Sequence, residues 1–148
     1  MKISKSIYIL ALLVVCMLVN VHQAYASLEQ PEVYVNNENV DLYAVVSTAG
    51  ITYVPFRPVF EKLHMNVDWD NTKKSVTASN DHTTIMLTAN SDKAYVNGQA
   101  FDLIEPPVYD QNDQLFYVNL RFVAEASGAQ VTWITKDNNA RIYIKIPE

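Results

Sequence analysis

Apolar residues run unbroken over 7–19, and from residue 33 onward this gives way to short stretches in which apolar positions alternate with polar ones or recur every three to four residues. Alternation marks half-buried strands, and the longer spacing marks amphipathic helices. A hairpin is predicted over 33–35 and 40–42, turning at 36–39, and another over 94–96 and 101–103, turning at 97–99. Asparagine and glycine in these turns tolerate the positive φ that tight hairpins demand. Strands at 52–54 and 115–118 lead into helices at 57–63 and 120–127. Gly128 suits the left-handed residue that ends many helices, and His64 takes that place after the first helix at some conformational cost. Two strand pairs follow, 67–69 with 75–78 and 131–134 with 140–146, and 83–87 supplies one more strand.

Helices this short are marginal alone and need a sheet whose apolar face they cover. The predicted fold is therefore α+β, an antiparallel sheet with two short packed helices. The order of elements recurs along the chain, and so do the residues. Tyr34, Val35, Asn36, Asp41 and Leu42 return as Tyr95, Val96, Asn97, Asp102 and Leu103 at an offset of 61. With three residues inserted, Tyr53, Val54, Arg57, Val59, Glu61, Val67 and Trp69 meet Tyr117, Val118, Arg121, Val123, Glu125, Val131 and Trp133. Two tandem pseudo-repeats are expected in one domain spanning 33–148: repeat one at 33–79, a connecting strand at 80–93 and repeat two at 94–148. No Gly/Ser-rich or Pro-rich linker separates them. Residues 27–32 are read as a loose leader.

The opening run has the build of a secretory signal. Lys2 and Lys5 precede it, Ala24 and Ala26 place small residues where a signal peptidase reads, and cleavage is expected after Ala26. The run is shorter than the roughly 20 apolar residues that span a bilayer. A lipoprotein signal would use Cys16, but Val15 stands where a small residue is required. Cys16 is the only cysteine and leaves with the signal, so the exported chain relies on its core rather than on disulfides. The whole chain carries a net charge of −5, and losing residues 1–26 removes two lysines and no acid. Without a basic cluster, contact with nucleic acid or, after cleavage, with membrane is not expected. The expected location is secreted or cell-wall associated.

The segment Tyr53-Val54-Pro55-Phe56-Arg57, followed by Glu61, Val67 and Trp69-Asp70, resembles the signature of the copper amine oxidase N-terminal domain-like family, also called stalk domains. The second copy resembles it at 117–125, Gly128-Ala129 and 131–133. Departures fall at Asn119, where the family usually has proline, at His64, where it usually has glycine, and over 43–50, which lacks the usual prolines. The resemblance implies a secreted, non-catalytic module of envelope and surface proteins in Gram-positive-type bacteria. In the amine oxidases, copper and the quinone belong to a separate domain. Type-two copper sites use several imidazoles, and beyond the signal the chain has only His64 and His82. No cofactor, no copper and no catalytic residue are expected.

Among candidate side chains, Arg57 with Glu61 and Arg121 with Glu125 stand four apart on the helices. Arginine before glutamate is the less favourable order, so a structural role such as holding strand carbonyls is expected. Trp69 and Trp133 share strand faces with Val67 and Val131 and are read as core packing rather than sugar platforms. Tyr43 and Tyr109, in the loops 43–50 and 104–114, are the candidate ligand contacts. Residues 110–113 look like the start of a calcium loop, but Leu115 stands where that loop needs glycine, so a hairpin turn is expected. No mature cysteine, Gly-x-Ser-x-Gly or His-Glu-x-x-His motif appears. The expected function is a non-enzymatic binding or scaffold module for a wall polymer or surface protein, with an inhibitor or regulator of an extracellular enzyme as the alternative.

Overall fold

The computed structural model describes residues 30–136 and 139–147; the secretory signal expected at 1–26 lies outside the described residues. Thirteen strands and two helices appear among them. The first sheet has the order β12 (Gln130–Lys136), β13 (Asn139–Lys145), β1 (Glu32–Val35), β2 (Glu38–Val40). The second runs β10 (Val108–Asp110), β11 (Leu115–Asn119), β4 (Thr52–Pro55), β3 (Val45–Val46). The third has five strands in sequence order: β5 (Asn66–Asp70), β6 (Ser75–Ser79), β7 (Thr84–Thr88), β8 (Lys93–Val96) and β9 (Gln99–Asp102). Helix α1 (Phe56–Lys62) follows β4 and helix α2 (Leu120–Ala126) follows β11 without a break. The chain is thus β-rich with two short helices, but its strands form three sheets rather than one. No helix among the described residues is long and apolar enough to cross a membrane.

One pair departs from the expected antiparallel pattern. β1 and β13 run parallel, with Glu32 opposite Arg141, Val33 opposite Ile142, Tyr34 opposite Tyr143 and Val35 opposite Ile144. Parallel pairing needs no local turn and is open to strands far apart in sequence. The facing residues match by chemistry. Arg141 donates to Glu32 at 2.9 Å, and Tyr34 and Tyr143 stack with centroids 5.0 Å apart. Glu32 therefore belongs to a strand and not to the loose leader expected over 27–32.

The tight turns are shorter than predicted. Asn36 and Asn37 both take positive φ, 47° and 67°, and Asn97 and Gly98 take 51° and 79°. Positive φ at both central positions is the two-residue type I′ geometry, whose twist suits a hairpin. β2 therefore starts at Glu38, ahead of the expected 40–42.

A single cluster of buried side chains draws on all three sheets and both helices. Phe60 and Val59 enter it from α1, Leu120 and Val123 from α2, Val54, Phe116 and Val118 from the second sheet, and Ile142 and Ile85 from the other two. Each helix ends in the same way. The amide of Met65 donates to Phe60 and that of His64 to Glu61; Ala129 donates to Ala124 and Gly128 to Glu125. This is the Schellman arrangement, with Met65 and Ala129 buried just past each helix. It requires a left-handed residue, and φ is +56° at His64 and +90° at Gly128. The helix starts differ: Asn119 accepts from the Phe122 amide at 3.1 Å, whereas Pro55 caps α1 with no side-chain bond.

A Cβ at Gly128 would meet nothing within 4 Å, so Gly128→Ala isolates backbone strain. We expect it to destabilise the protein by about 1–2 kcal/mol. His64→Gly relieves the same strain but adds about 0.4–1 kcal/mol of unfolded-state entropy, leaving a gain below about 1 kcal/mol. Urea denaturation midpoints read both, and shifts of the same sign would refute this account of the helix ends.

Candidate functional site

The second sheet has one face on the core and one turned away from it. Side chains alternate along a strand, so Val54, Phe116 and Val118 point inward while Tyr53 and Tyr117 point to the opposite face. β4 and β11 pair antiparallel, with Val54 opposite Val118, Tyr117 opposite Pro55 and Tyr53 opposite Asn119. The edge strands extend this outer face. Val45 of β3 lies opposite Tyr53, and Val108 of β10 opposite Tyr117. Both edge strands fall inside the predicted loops 43–50 and 104–114. Strands of two or three residues are too short for alternation to reveal.

These residues form an open concavity of about 560 Å³. Its aromatic lining is Tyr43, Tyr53 and Tyr117, its apolar lining includes Val45, Pro106 and Val108, and Glu105, Asp110 and Asp113 bring carboxylates. The two predicted loops therefore meet in one site. Tyr43 is 55% exposed and reaches it, whereas Tyr53 is only 7% exposed. The Tyr53 hydroxyl donates to the Pro106 carbonyl at 2.9 Å, and Tyr117 donates to Asp113 Oδ2 at 3.2 Å. Burial, reinforced by the nearby Glu105 carboxylate, pushes the Tyr53 phenol up to about 12. Burial, and then the bond to Asp113, also raises Tyr117.

Tyr109 is not part of this site. It stands between Val108 and Asp110 on β10, so it points to the other face, where its ring lies 5.9 Å from Trp69 at 22° and Lys74 Nζ sits 4.2 Å from its centroid. Trp69 also stacks on Phe56 at 5.7 Å and packs against the core. The sequence reading placed Tyr109 among ligand contacts and missed Tyr53 and Tyr117. The missing signal was the strand at 108–110, which sets which residues share a face.

Trp133 also departs from its expected core position. It is 38% exposed and lines a second hollow of about 380 Å³ with Arg121 and Glu125. Phe56 covers Trp69, but the residue aligned with Phe56 is Leu120, and Trp133 has no stacking partner among the described residues. Arg121 Nη1 meets Glu125 Oε1 at 3.2 Å on the exposed face of α2. Arg57 lies over the ring of Phe56, 5.3 Å from its centroid, and no ion pair with Glu61 occurs among the described residues. Neither arginine side chain donates to a strand carbonyl among those residues, because both heads point to solvent. The expected hairpin turn falls at 111–114, between β10 and β11, with Asp110 Oδ1 accepting from the Asn112 amide and Asp113 Oδ1 from the Leu115 amide.

The sequence model of the copper amine oxidase N-terminal domain matches residues 27–142. The chain belongs to that family. The match takes in both helices, the tyrosine-lined hollow and strands of all three sheets, reaching β13 as far as residue 142. A search of curated proteins finds no match. The copper amine oxidase N-terminal domain is the non-catalytic part of those oxidases, and the residues here agree poorly with a copper centre. Among the described residues no three histidine, cysteine or acidic side chains converge to hold a metal ion. His64 closes α1 and His82 lies in the turn between β6 and β7, both exposed.

Because the native Tyr53 phenol stays protonated up to about 12 while an unfolded tyrosine titrates near ~10, its contribution to stability is intact below the lower value. The contribution is lost as pH rises between the two. Tyr53→Phe leaves the Pro106 carbonyl without this donor, which we expect to cost about 1 kcal/mol at neutral pH, and it removes this share of the alkaline loss. Denaturation midpoints from pH about 8 to about 11 compare the two proteins; parallel pH curves would refute the assignment.

Proposed function

We propose that this copper amine oxidase N-terminal domain is an exported binding module of the cell envelope that acts without turnover. It presents the outer face of the second sheet to a wall polymer, and a surface protein is the competing partner. The observation that carries this reading is the convergence of Tyr43, Tyr53 and Tyr117, from separate segments, on one open hollow with apolar walls and a few polar groups. That composition is typical of recognition sites. Export rests on the secretory signal expected at 1–26, with its apolar run at 7–19 and small residues at 24 and 26.

We further infer that the chain arose by duplication, with repeats at 33–79 and 94–148. The pairing register supports this. If Tyr53, Val54 and Pro55 correspond to Tyr117, Val118 and Asn119, a two-fold contact between copies requires each residue to face its counterpart's neighbour in reverse order. The ladder has that form, centred on Val54 opposite Val118. The first hairpin of each copy joins the sheet holding the last hairpin of the other: β1 and β2 lie with β12 and β13, and β8 and β9 with β5 and β6.

The test is co-sedimentation of the protein with purified cell walls, intact and stripped of their polymers. Saturable pelleting, lost on stripping and weakened about tenfold or more by Tyr43→Ala or Tyr117→Ala, is the expected result. Absence of pelleting, or pelleting indifferent to both substitutions, would overturn the wall-polymer reading.

A further inference from the structure

We propose that the tyrosine hollow selects a quaternary ammonium group, carried by whatever larger ligand the module engages. This rests on the reading that the outer face of the second sheet is the binding surface. Three features of the hollow converge on that chemistry.

The walls are aromatic. Tyr43, Tyr53 and Tyr117 surround a space of about 560 Å³, and an aromatic face attracts a cation through its quadrupole. The charged groups at the hollow all carry one sign. Glu105, Asp110 and Asp113 line it, no lysine, arginine or histidine does so, and none of the three acids enters a salt bridge among the described residues. The nearby cation, Lys74, lies over Tyr109, which faces the other side of β10. Finally, the hollow is richer in acceptors than in free donors. The hydroxyl protons of Tyr53 and Tyr117 are already directed at Pro106 and Asp113.

Each alternative ligand class meets an obstacle. An anion would be repelled by the carboxylates. A neutral polyol needs donors as well as acceptors from its site, and here two of the three phenols are engaged, which leaves the hydroxyls of Tyr43 and Ser47 as donors against three carboxylates. A bare metal ion needs carboxylates gathered on one point, and the acids here do not converge in that way. A primary ammonium keeps its water tightly, which suits it poorly to walls that include Val45, Val108 and Pro106. A methylated cation is large and carries its charge on an apolar surface, and aromatic boxes recognise such groups.

The experiment is calorimetric titration of the full chain with choline, with its uncharged carbon isostere, and with ethanolamine as the primary-ammonium counterpart. Saturable choline binding is expected, at least about tenfold tighter than either comparator. Tyr117→Ala and Asp110→Asn should each weaken it several-fold, while Asp81→Asn, in the exposed turn between β6 and β7, leaves it unchanged. Asp110→Asn alters charge with little change of shape, so it remains informative should Tyr117→Ala fail to fold. Failure of choline to bind, equal binding of the isostere, preference for ethanolamine, or indifference to Asp110→Asn would each overturn the proposal. Wall pelleting that depends on Tyr43 but is not displaced by choline would overturn this inference and leave the binding-module reading standing. Absence of pelleting altogether would remove the wall-polymer reading instead.

Discussion

The antiparallel pairing of β4 with β11 places Val54 against Val118 at the middle of the second sheet, and both side chains are fully buried. Each strand passes directly into a helix, so this ladder also sets where α1 and α2 begin and which of their faces meets the core. Its register fixes the other side of the sheet as well. A strand's side chains alternate with period two, so burying Val54, Phe116 and Val118 leaves Tyr53 and Tyr117 together on the reverse face. A slip of one residue would turn the tyrosines into the core and the valines out. Core and candidate site are two consequences of one register.

The parallel pairing of β1 with β13 closes the fold, and its direction has a counterpart elsewhere. β6 and β8 are each antiparallel to β7, and so are parallel to one another with a strand between them. In the first sheet no strand intervenes, and β13 meets β1 directly. The connection after β6 continues through β7, which takes the place between the two hairpins of the third sheet. The proposed duplication explains both sheets with one rule: the terminal hairpin of one copy runs parallel to the leading hairpin of the other. Matched partners, Glu32 with Arg141 and Tyr34 with Tyr143, hold the direct version in register.

Features governed by local chemistry were legible in the sequence. The left-handed positions at His64 and Gly128 follow from helix termination, and both helices lie within one residue of their expected bounds. The hairpin beginning near residue 33 was legible as well, although paired positive-φ asparagines make its turn two residues long rather than four. What was not legible depends on partners remote in the chain. β3 and β10 have two and three residues, too few for periodicity, and exist because β4 and β11 offer them edges. Without β10, nothing in the sequence separates Tyr109 from its neighbours, and its role as a partner for Trp69 could not be read. The exposure of Trp133 was hidden for a like reason, since the rings that pack on Trp69, from Phe56, Tyr109 and Phe116, have no counterparts beside it among the described residues.

The candidate site lies across the middle of the second sheet, and its two halves are unequal there. Tyr53 faces Asn119 and Tyr117 faces Pro55, so the position following each valine differs between the strands. Asn119 retains a backbone N–H and supplies a helix cap, whereas Pro55 supplies neither. The surroundings of the two tyrosines differ too. Tyr53 is buried and bonded to the Pro106 carbonyl, while Tyr117 stays partly open beside Asp113. A strictly two-fold face would present two equivalent half-sites across its axis. The bond from Tyr53 to the Pro106 carbonyl has no counterpart at Tyr117, whose hydroxyl is bonded to Asp113 instead, so the two phenols are not equivalent. One phenol is thus buried and the other half-buried in a hollow whose three carboxylates, Glu105, Asp110 and Asp113, all come from the second of the two loops.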